Sequence, residues 1–346
     1  AFNDNHSPAK APVDFMEWVG HEEIQWGMSF YERALGTGPY PEVTVHDRLT
    51  NQYRPMLNMT SYNYLGLATH PEVIEAAVQG VRRYGLSASG SPRLSGFFDL
   101  HQELSDKISR WKQKDDTLIW SAGAQANIGA IAGLLRKGDV LVMDEYGHQS
   151  IVDGCLVSRA KLRTFKHNDA NSLEDVVKKG IEEGKRQLIA VEGVYSMDGD
   201  LGNLPELCDV GTRYGVPVYL DEAHSSLMFG ENGRGAAEHF GVEDKIDIYY
   251  GTFSKSFGAV GGFATASMET ILYMRSYSST YNFSCAPSPP VVTGLIKAME
   301  IMEREGKERR AKLWENIHYF KGALDRLGLR SEEHTSELQS RMCISY

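Results

Sequence analysis

Cysteine is scarce in this chain. Cys155, Cys208, Cys285 and Cys343 are the four in 346 residues, and no two share a paired spacing. They build neither a disulfide framework nor a zinc knuckle, so no metal is expected and a reducing, cytoplasmic setting is. Positive charge is short as well. Lys and Arg number 36 against 46 Asp and Glu, a net −10. Nucleic acid and anionic membrane both require clustered positive charge, so neither is an expected partner. Residues 1–13 hold no apolar core of a secretory signal. One uncharged stretch, residues 117–135, is as long as a membrane span but carries Ser121, Gln125, Asn127 and three glycines. It reads instead as a buried strand, a tight turn and a packed helix, and no transmembrane segment is expected.

What is present is a rhythm of apolar runs. Leu118-Ile119-Trp120, Val140-Leu141-Val142-Met143 and residues 162–165, 188–191, 216–220, 246–250 and 262–266 read as seven strands. Stretches of helical period separate most of them. Leu173, Val176, Val177 and Ile181, for instance, lie behind Asn171-Ser172, read as the helix cap. Such alternation predicts an α/β fold with helices crossing over a mainly parallel sheet. Upstream, Pro71 opens a helix with Ile74, Ala77, Val78 and Val81 on one face, ended by Tyr84-Gly85. Residues 101–111 read as another, with His101 a packing or surface residue. Trp18, Ile24, Trp26, Met28 and Tyr31 mix with charges at helix-like spacing and predict an arm lying on another surface.

Two of the apolar runs end abruptly in polar groups, as strands do when they deliver side chains to the carboxyl edge of a parallel sheet. Tyr219-Leu220 leads into Asp221-Glu222-Ala223-His224, and Tyr249-Tyr250 into Gly251-Thr252-Phe253-Ser254-Lys255-Ser256-Phe257-Gly258. The small residues around Lys255 let a phosphate or a flat ring approach the backbone closely. An amine there can form a Schiff base with an aldehyde cofactor, and a carboxylate at 221 can keep a pyridine nitrogen protonated. Alone, Lys255 is a solvated loop lysine and Asp221 a turn residue. As a pair in this order, they point to pyridoxal phosphate.

Those two strings, with Gly193-Val194-Tyr195-Ser196-Met197-Asp198-Gly199-Asp200, resemble the α-oxoamine synthases. That family condenses an amino acid with an acyl thioester and releases carbon dioxide, using pyridoxal phosphate in the fold of the type I PLP-dependent transferases. Thr252 to Phe257 and Ser288-Pro289-Pro290-Val291 most resemble its serine palmitoyltransferase branch. The resemblance implies that Gly123 and Ala124, at the helix start in Ser121-Ala122-Gly123-Ala124-Gln125-Ala126-Asn127, cradle the cofactor phosphate with Thr252 and Ser254. It implies that His148 stacks on the ring, that Ser196 and His224 bond its phenolic oxygen, and that Asp221 faces its nitrogen. Asn63, in Asn63-Tyr64-Leu65-Gly66, would lie near the substrate, and Ser284 would reach a partner subunit's phosphate in a homodimer. Glu222 and Asp198 are read as structural. A smaller side chain at Ala124, and Cys285 and Ala286 in place of hydroxyl-bearing residues, depart from the family pattern.

The activity so implied joins L-serine to a long-chain acyl-CoA, or acyl carrier, in a product of the 3-ketosphinganine type, a step of sphingolipid biosynthesis. Glycine or alanine, as in enzymes of the 8-amino-7-oxononanoate synthase or 2-amino-3-ketobutyrate CoA ligase type, is the alternative. A non-catalytic partner subunit and a PLP enzyme of another reaction type, an aminotransferase or aldolase, stand behind it. The expected organisation is an arm over 1–52, a large cofactor domain over 53–290, with Pro287, Pro289 and Pro290 halting a strand or helix and marking its exit, and the start of a small C-terminal domain over 291–329. The arginine that grips the substrate carboxylate in relatives is not expected before Leu329, and Arg304, Arg309, Arg310 and Arg326 read as helical charge pairs. The chain is therefore expected to bind cofactor yet turn over poorly. Residues 330–340 back-translate to a common short-read sequencing adapter, so 330–346 is read as non-native, with a genuine acidic, serine-rich tail as the alternative. The first residue is Ala1 rather than methionine, consistent with an upstream segment that the sequence does not include.

Overall fold

The computed structural model describes residues 20–21, 34–47 and 50–328, which fall into two compact units meeting in sequence at Ser61 and Tyr62. The helical pattern expected around Trp18, Ile24, Trp26, Met28 and Tyr31 and the tail 330–346 lie outside the described residues. In the first unit, β1 (Ala34–Leu35), β2 (Glu42–Asp47) and β3 (Gln52–Leu57) form an antiparallel sheet in that order. Strands therefore occupy the second half of the expected arm.

The second unit is built on a seven-stranded sheet of β4 (Asp116–Trp120), β5 (Val140–Asp144), β6 (Lys161–Phe165), β7 (Gln187–Glu192), β8 (Val218–Asp221), β9 (Ile248–Thr252) and β10 (Gly262–Ala266). Each apolar run of the sequence supplies one strand. The spatial order is β4-β10-β9-β8-β7-β5-β6, and β10 runs antiparallel to both of its neighbours while the other pairings are parallel.

Continuous apolar strands suit this sheet because both faces are covered. Alternate residues divide between the faces. Leu141, Met143, Leu188 and Ala190 join the core beneath α3 (Gly123–Leu134), α4 (Gln149–Ser158) and α8 (Met268–Tyr277), whereas Val140, Val142, Ile189 and Val191 join the one beneath α5 (Ala170–Glu182), α6 (Leu204–Tyr214) and α7 (Ala236–Phe240). A third cluster gathers α1 (Pro71–Tyr84), α2 (Asp99–Lys112) and α10 (Pro289–Arg326), with short α9 (Ser279–Asn282) preceding α10.

Two local expectations change. Helix α5 is capped by Asp169, whose carboxylate accepts the N–H groups of Asn171 and Ser172 at 2.9 and 3.0 Å, so those two residues receive the cap instead of making it. Pro289 and Pro290 begin α10 rather than ending an element, because the first turn of a helix has no use for the N–H that proline lacks. Val292, Leu295, Ile296 and Met299 of this helix enter the third cluster together with Leu65, Leu104 and Phe253. Of the arginines on it, Arg309 pairs with Glu305 one turn away. Arg304 also reaches Glu72 on α1, and Arg310 donates to the Glu231 carbonyl. Among the described residues no helix is long and apolar enough to cross a membrane.

Candidate active site

Four parallel strands stop at one edge and hand their chains to functional groups. Strand β5 leads to His148, β7 ends at Glu192, β8 ends at Asp221 with His224 three residues on, and β9 ends at Thr252 ahead of Lys255. Register sets Glu192 beside Asp221, and Asp221 beside Tyr250. Carboxyl ends of a parallel sheet are where open α/β folds bind ligands.

Lys255 Nζ meets His224 Nε2 at 2.5 Å, and the other ring nitrogen of His224 meets the Tyr64 hydroxyl at 3.1 Å. The imidazole is buried, and burial, followed by the charge of Lys255, holds its pKa well below the usual histidine range. A neutral His224 accepts the lysine's proton at Nε2 and so carries its own on Nδ1, toward the Tyr64 oxygen. Lys255 Nζ also lies 5.8 Å from the centre of the Tyr62 ring.

Asp221 is 3 % exposed and has no ion-pair partner among the described residues. Its carboxylate accepts from Asn127 Nδ2 at 2.8 Å and from the Ala223 N–H at 2.9 Å. Burial raises its pKa, as does the same effect for Glu192, where the neighbouring Asp221 charge adds to it. Glu192 accepts the His148 N–H. Two adjacent buried acids are costly without a cation, and a protonated ring nitrogen supplies one. His148 caps α4, its Nδ1 held by Ser150, and the residue is exposed, leaving its ring accessible for stacking.

At the other end, Gly123 and Ala124 open α3, and no side chain caps its first N–H groups. A Cβ at Gly123 would collide with the Thr252 hydroxyl, so glycine is what leaves this cradle open. Thr252 donates to the Gly261 carbonyl at 3.1 Å and accepts the Ser254 N–H, while Ser254 is exposed. Ser284 bonds Gln125 of its own chain. Ser196 is half-buried after β7, and the Asn63 side chain accepts the Ala68 N–H at 3.0 Å, as a turn residue does. An amine beside a neutral imidazole, an unpaired buried carboxylate and a bare helix start together fit pyridoxal phosphate.

The family profile described as aminotransferase class I and II matches residues 54–340. The chain belongs to that family. An 8-amino-7-oxononanoate synthase of Thermoanaerobacter pseudethanolicus is 38% identical over 302 residues, 86% of this chain and 76% of that protein, and one from Bacillus subtilis is 35% identical over 289 residues, 84% and 72%. Among solved structures, a serine palmitoyltransferase from S. paucimobilis with a bound adduct of PLP and myriocin superposes with a TM-score of 0.87 at 29% identity, covering 95% of this chain and 81% of that one. Within the aminotransferase class I and II family the chain is an α-oxoamine synthase, an acyltransferase-type enzyme whose cofactor is pyridoxal phosphate. The curated relatives give no support to the sphingolipid setting expected from the sequence.

Several groups in this family member escape a reading of motifs. Tyr64, Asn127 and Glu192 touch the expected site residues from distant segments, and Ser150 touches His148 from two residues on. His167 escapes too. It bonds Asp144 at 2.9 Å and Asp200 at 2.8 Å, stacks on Tyr146 and meets the Tyr195 edge, so it ties the end of β5 to the loop that carries Ser196. Burial alone would depress its pKa, but the bonds to Asp144 and Asp200 outweigh burial and raise it. A raised histidine contributes stability that is whole below its unfolded value of ~6.5 and is lost as pH rises through the folded one. Thermal unfolding of the wild type should therefore weaken along that alkaline limb, and His167→Gln should flatten it; equal slopes for both would remove His167 as the cause.

Proposed function

We propose that this α-oxoamine synthase condenses alanine or glycine with an acyl thioester, carrier-bound or on CoA, releasing carbon dioxide and leaving an α-amino ketone. The observation that carries the reading is the Lys255 amine set against a neutral, buried His224 beside the unpaired Asp221 carboxylate. Pyridoxal phosphate, when bound, supplies the electron sink that lets an amino acid lose its α-proton. Lys255 gives the cofactor its attachment point and, once displaced by the substrate amine, takes that proton at Nζ. Asp221 holds the ring nitrogen, His148 covers the ring face, His224 and Ser196 bond the phenolic oxygen, and Gly123, Ala124, Thr252 and Ser254 take the phosphate. Asn63 stands on the substrate side. The choice of alanine or glycine rests on the likeness to 8-amino-7-oxononanoate synthases at up to 38% identity. A second reading, serine with a long-chain acyl-CoA, is favoured by the fold's likeness to serine palmitoyltransferase.

Incubating the purified protein and cofactor with each of the three amino acids and with short, dicarboxylic and long-chain acyl-CoAs, then identifying ketones by mass spectrometry, separates them. Alanine or glycine should exceed serine by about tenfold or more, the scale on which a pocket discriminates by small groups. A dominant serine product would install the second reading, and no product from a protein that still binds cofactor would favour the non-catalytic subunit. We further propose that the protein works as a homodimer. Leu86, Leu94 and Phe283 are 77%, 88% and 88% exposed, on segments joined by the Ala286 N–H to Gly90 carbonyl bond, and that apolar surface calls for cover. A monomer by light scattering would refute the pairing.

A further inference from the structure

We propose that Asn127 is a positioning residue that locks Asp221 and His148 into one unit and fixes the protonation site of the stacking imidazole. The inference rests on the reading that these two residues face the cofactor ring. Asn127 sits on α3, fully buried, with three partners. Its Nδ2 donates to Asp221 Oδ2 at 2.8 Å and to Ser150 Oγ at 2.9 Å, and its Oδ1 accepts the Tyr219 hydroxyl at 2.7 Å. Only this orientation of the amide works. Flipped, it would turn an acceptor toward the Asp221 carboxylate, which when ionised has nothing to donate.

The direction of every proton downstream follows. The Ser150 N–H donates to His148 Nδ1 at 3.2 Å, and a backbone N–H has no other role to play. His148 Nδ1 is therefore an acceptor, and the ring carries its proton on Nε2. Ser150 Oγ, already accepting from Asn127, spends its own proton on the same Nδ1 at 2.7 Å. One amide thus holds the carboxylate proposed beneath the ring nitrogen and, through one hydroxyl, sets the tautomer of the imidazole proposed on the ring face. The links made by the amide are not local in sequence: Asn127 reaches across 94 residues to Asp221 and 23 to Ser150.

The test uses protein freed of cofactor, so that its result stands apart from the outcome of the substrate assay. Long-range proton–nitrogen NMR of the imidazoles should find His148 as the Nε2–H tautomer in the wild type. Asn127→Ala and Ser150→Ala should both shift it toward a mixture, whereas only Asn127→Ala should weaken cofactor binding by about tenfold or more, as loss of a bond to a buried charge does. Should Asn127→Ala fail to fold, Tyr219→Phe removes the hydroxyl that fixes the amide and should move the His148 signals in the same direction. A wild-type Nδ1–H tautomer, or His148 signals unmoved in a folded Asn127→Ala or in Tyr219→Phe, would overturn the proposal.

Discussion

Lys255→Ala is expected to lower turnover by on the order of 10³-fold or more, since proton transfer by a positioned base alone contributes about 10²–10⁴-fold and the same nitrogen anchors the cofactor. The structure says why His224, the neighbour in contact, cannot substitute. His224, the group in contact with Lys255 Nζ, is buried and holds its pKa well below the usual histidine range, so even with Nε2 released by the substitution it is a weak base, and its Nδ1 stays with Tyr64. Tyr64 lies beyond it, on the far side of the ring. The cofactor's imine absorbance should vanish in the variant, and borohydride reduction of the wild type followed by peptide mass mapping should place the tag on Lys255. Turnover retained within about tenfold, or a tag on another lysine, would reassign the anchor.

How much of this could be read beforehand follows from where each signal is stored. A strand buried on both faces must be apolar throughout, so Val140-Leu141-Val142-Met143 and its counterparts announce themselves, and the polar group that ends each run is visible at once. His148, Asp221 and Lys255 were legible for that reason. Partners of those groups were not, because a hydrogen bond leaves no trace in local composition. Tyr64 meets His224 across 160 residues and Asn127 meets Asp221 across 94; either side chain, viewed in its own segment, is an ordinary polar residue. The antiparallel sense of β10 was hidden similarly, since a run such as Gly262 to Ala266 pairs equally well in either direction. Pro289 and Pro290 misled for a different cause: a helix start tolerates what a helix interior forbids.

The largest effect on stability should come from outside the site's own chemistry. Lys112→Met is expected to cost about 3–5 kcal/mol, the range seen when one partner of a buried ion pair is removed. Lys112, at the end of α2, is 2 % exposed and Glu222, next to Asp221, is 0 % exposed. The ammonium bonds the Glu222 carboxylate and the Arg234 carbonyl, and lies 4.5 and 4.9 Å from the Trp111 and Tyr249 ring centres; the carboxylate also accepts the Ala237 N–H at 3.1 Å. Burial pushes the lysine's pKa down and the glutamate's up, and each charge opposes the other's shift. Removing one partner leaves the other buried without its counter-charge. Glu222→Leu should then be about as damaging as Lys112→Met, and the double variant less so than the sum of the two, by more than about 1 kcal/mol. Urea unfolding of the four proteins measures this cycle. Because Glu222 follows Asp221 directly and its N–H bonds the Tyr250 carbonyl at 2.9 Å, the single variants should also loosen cofactor binding, whereas additive losses, or singles within about 1 kcal/mol of wild type, would make the pair a bystander.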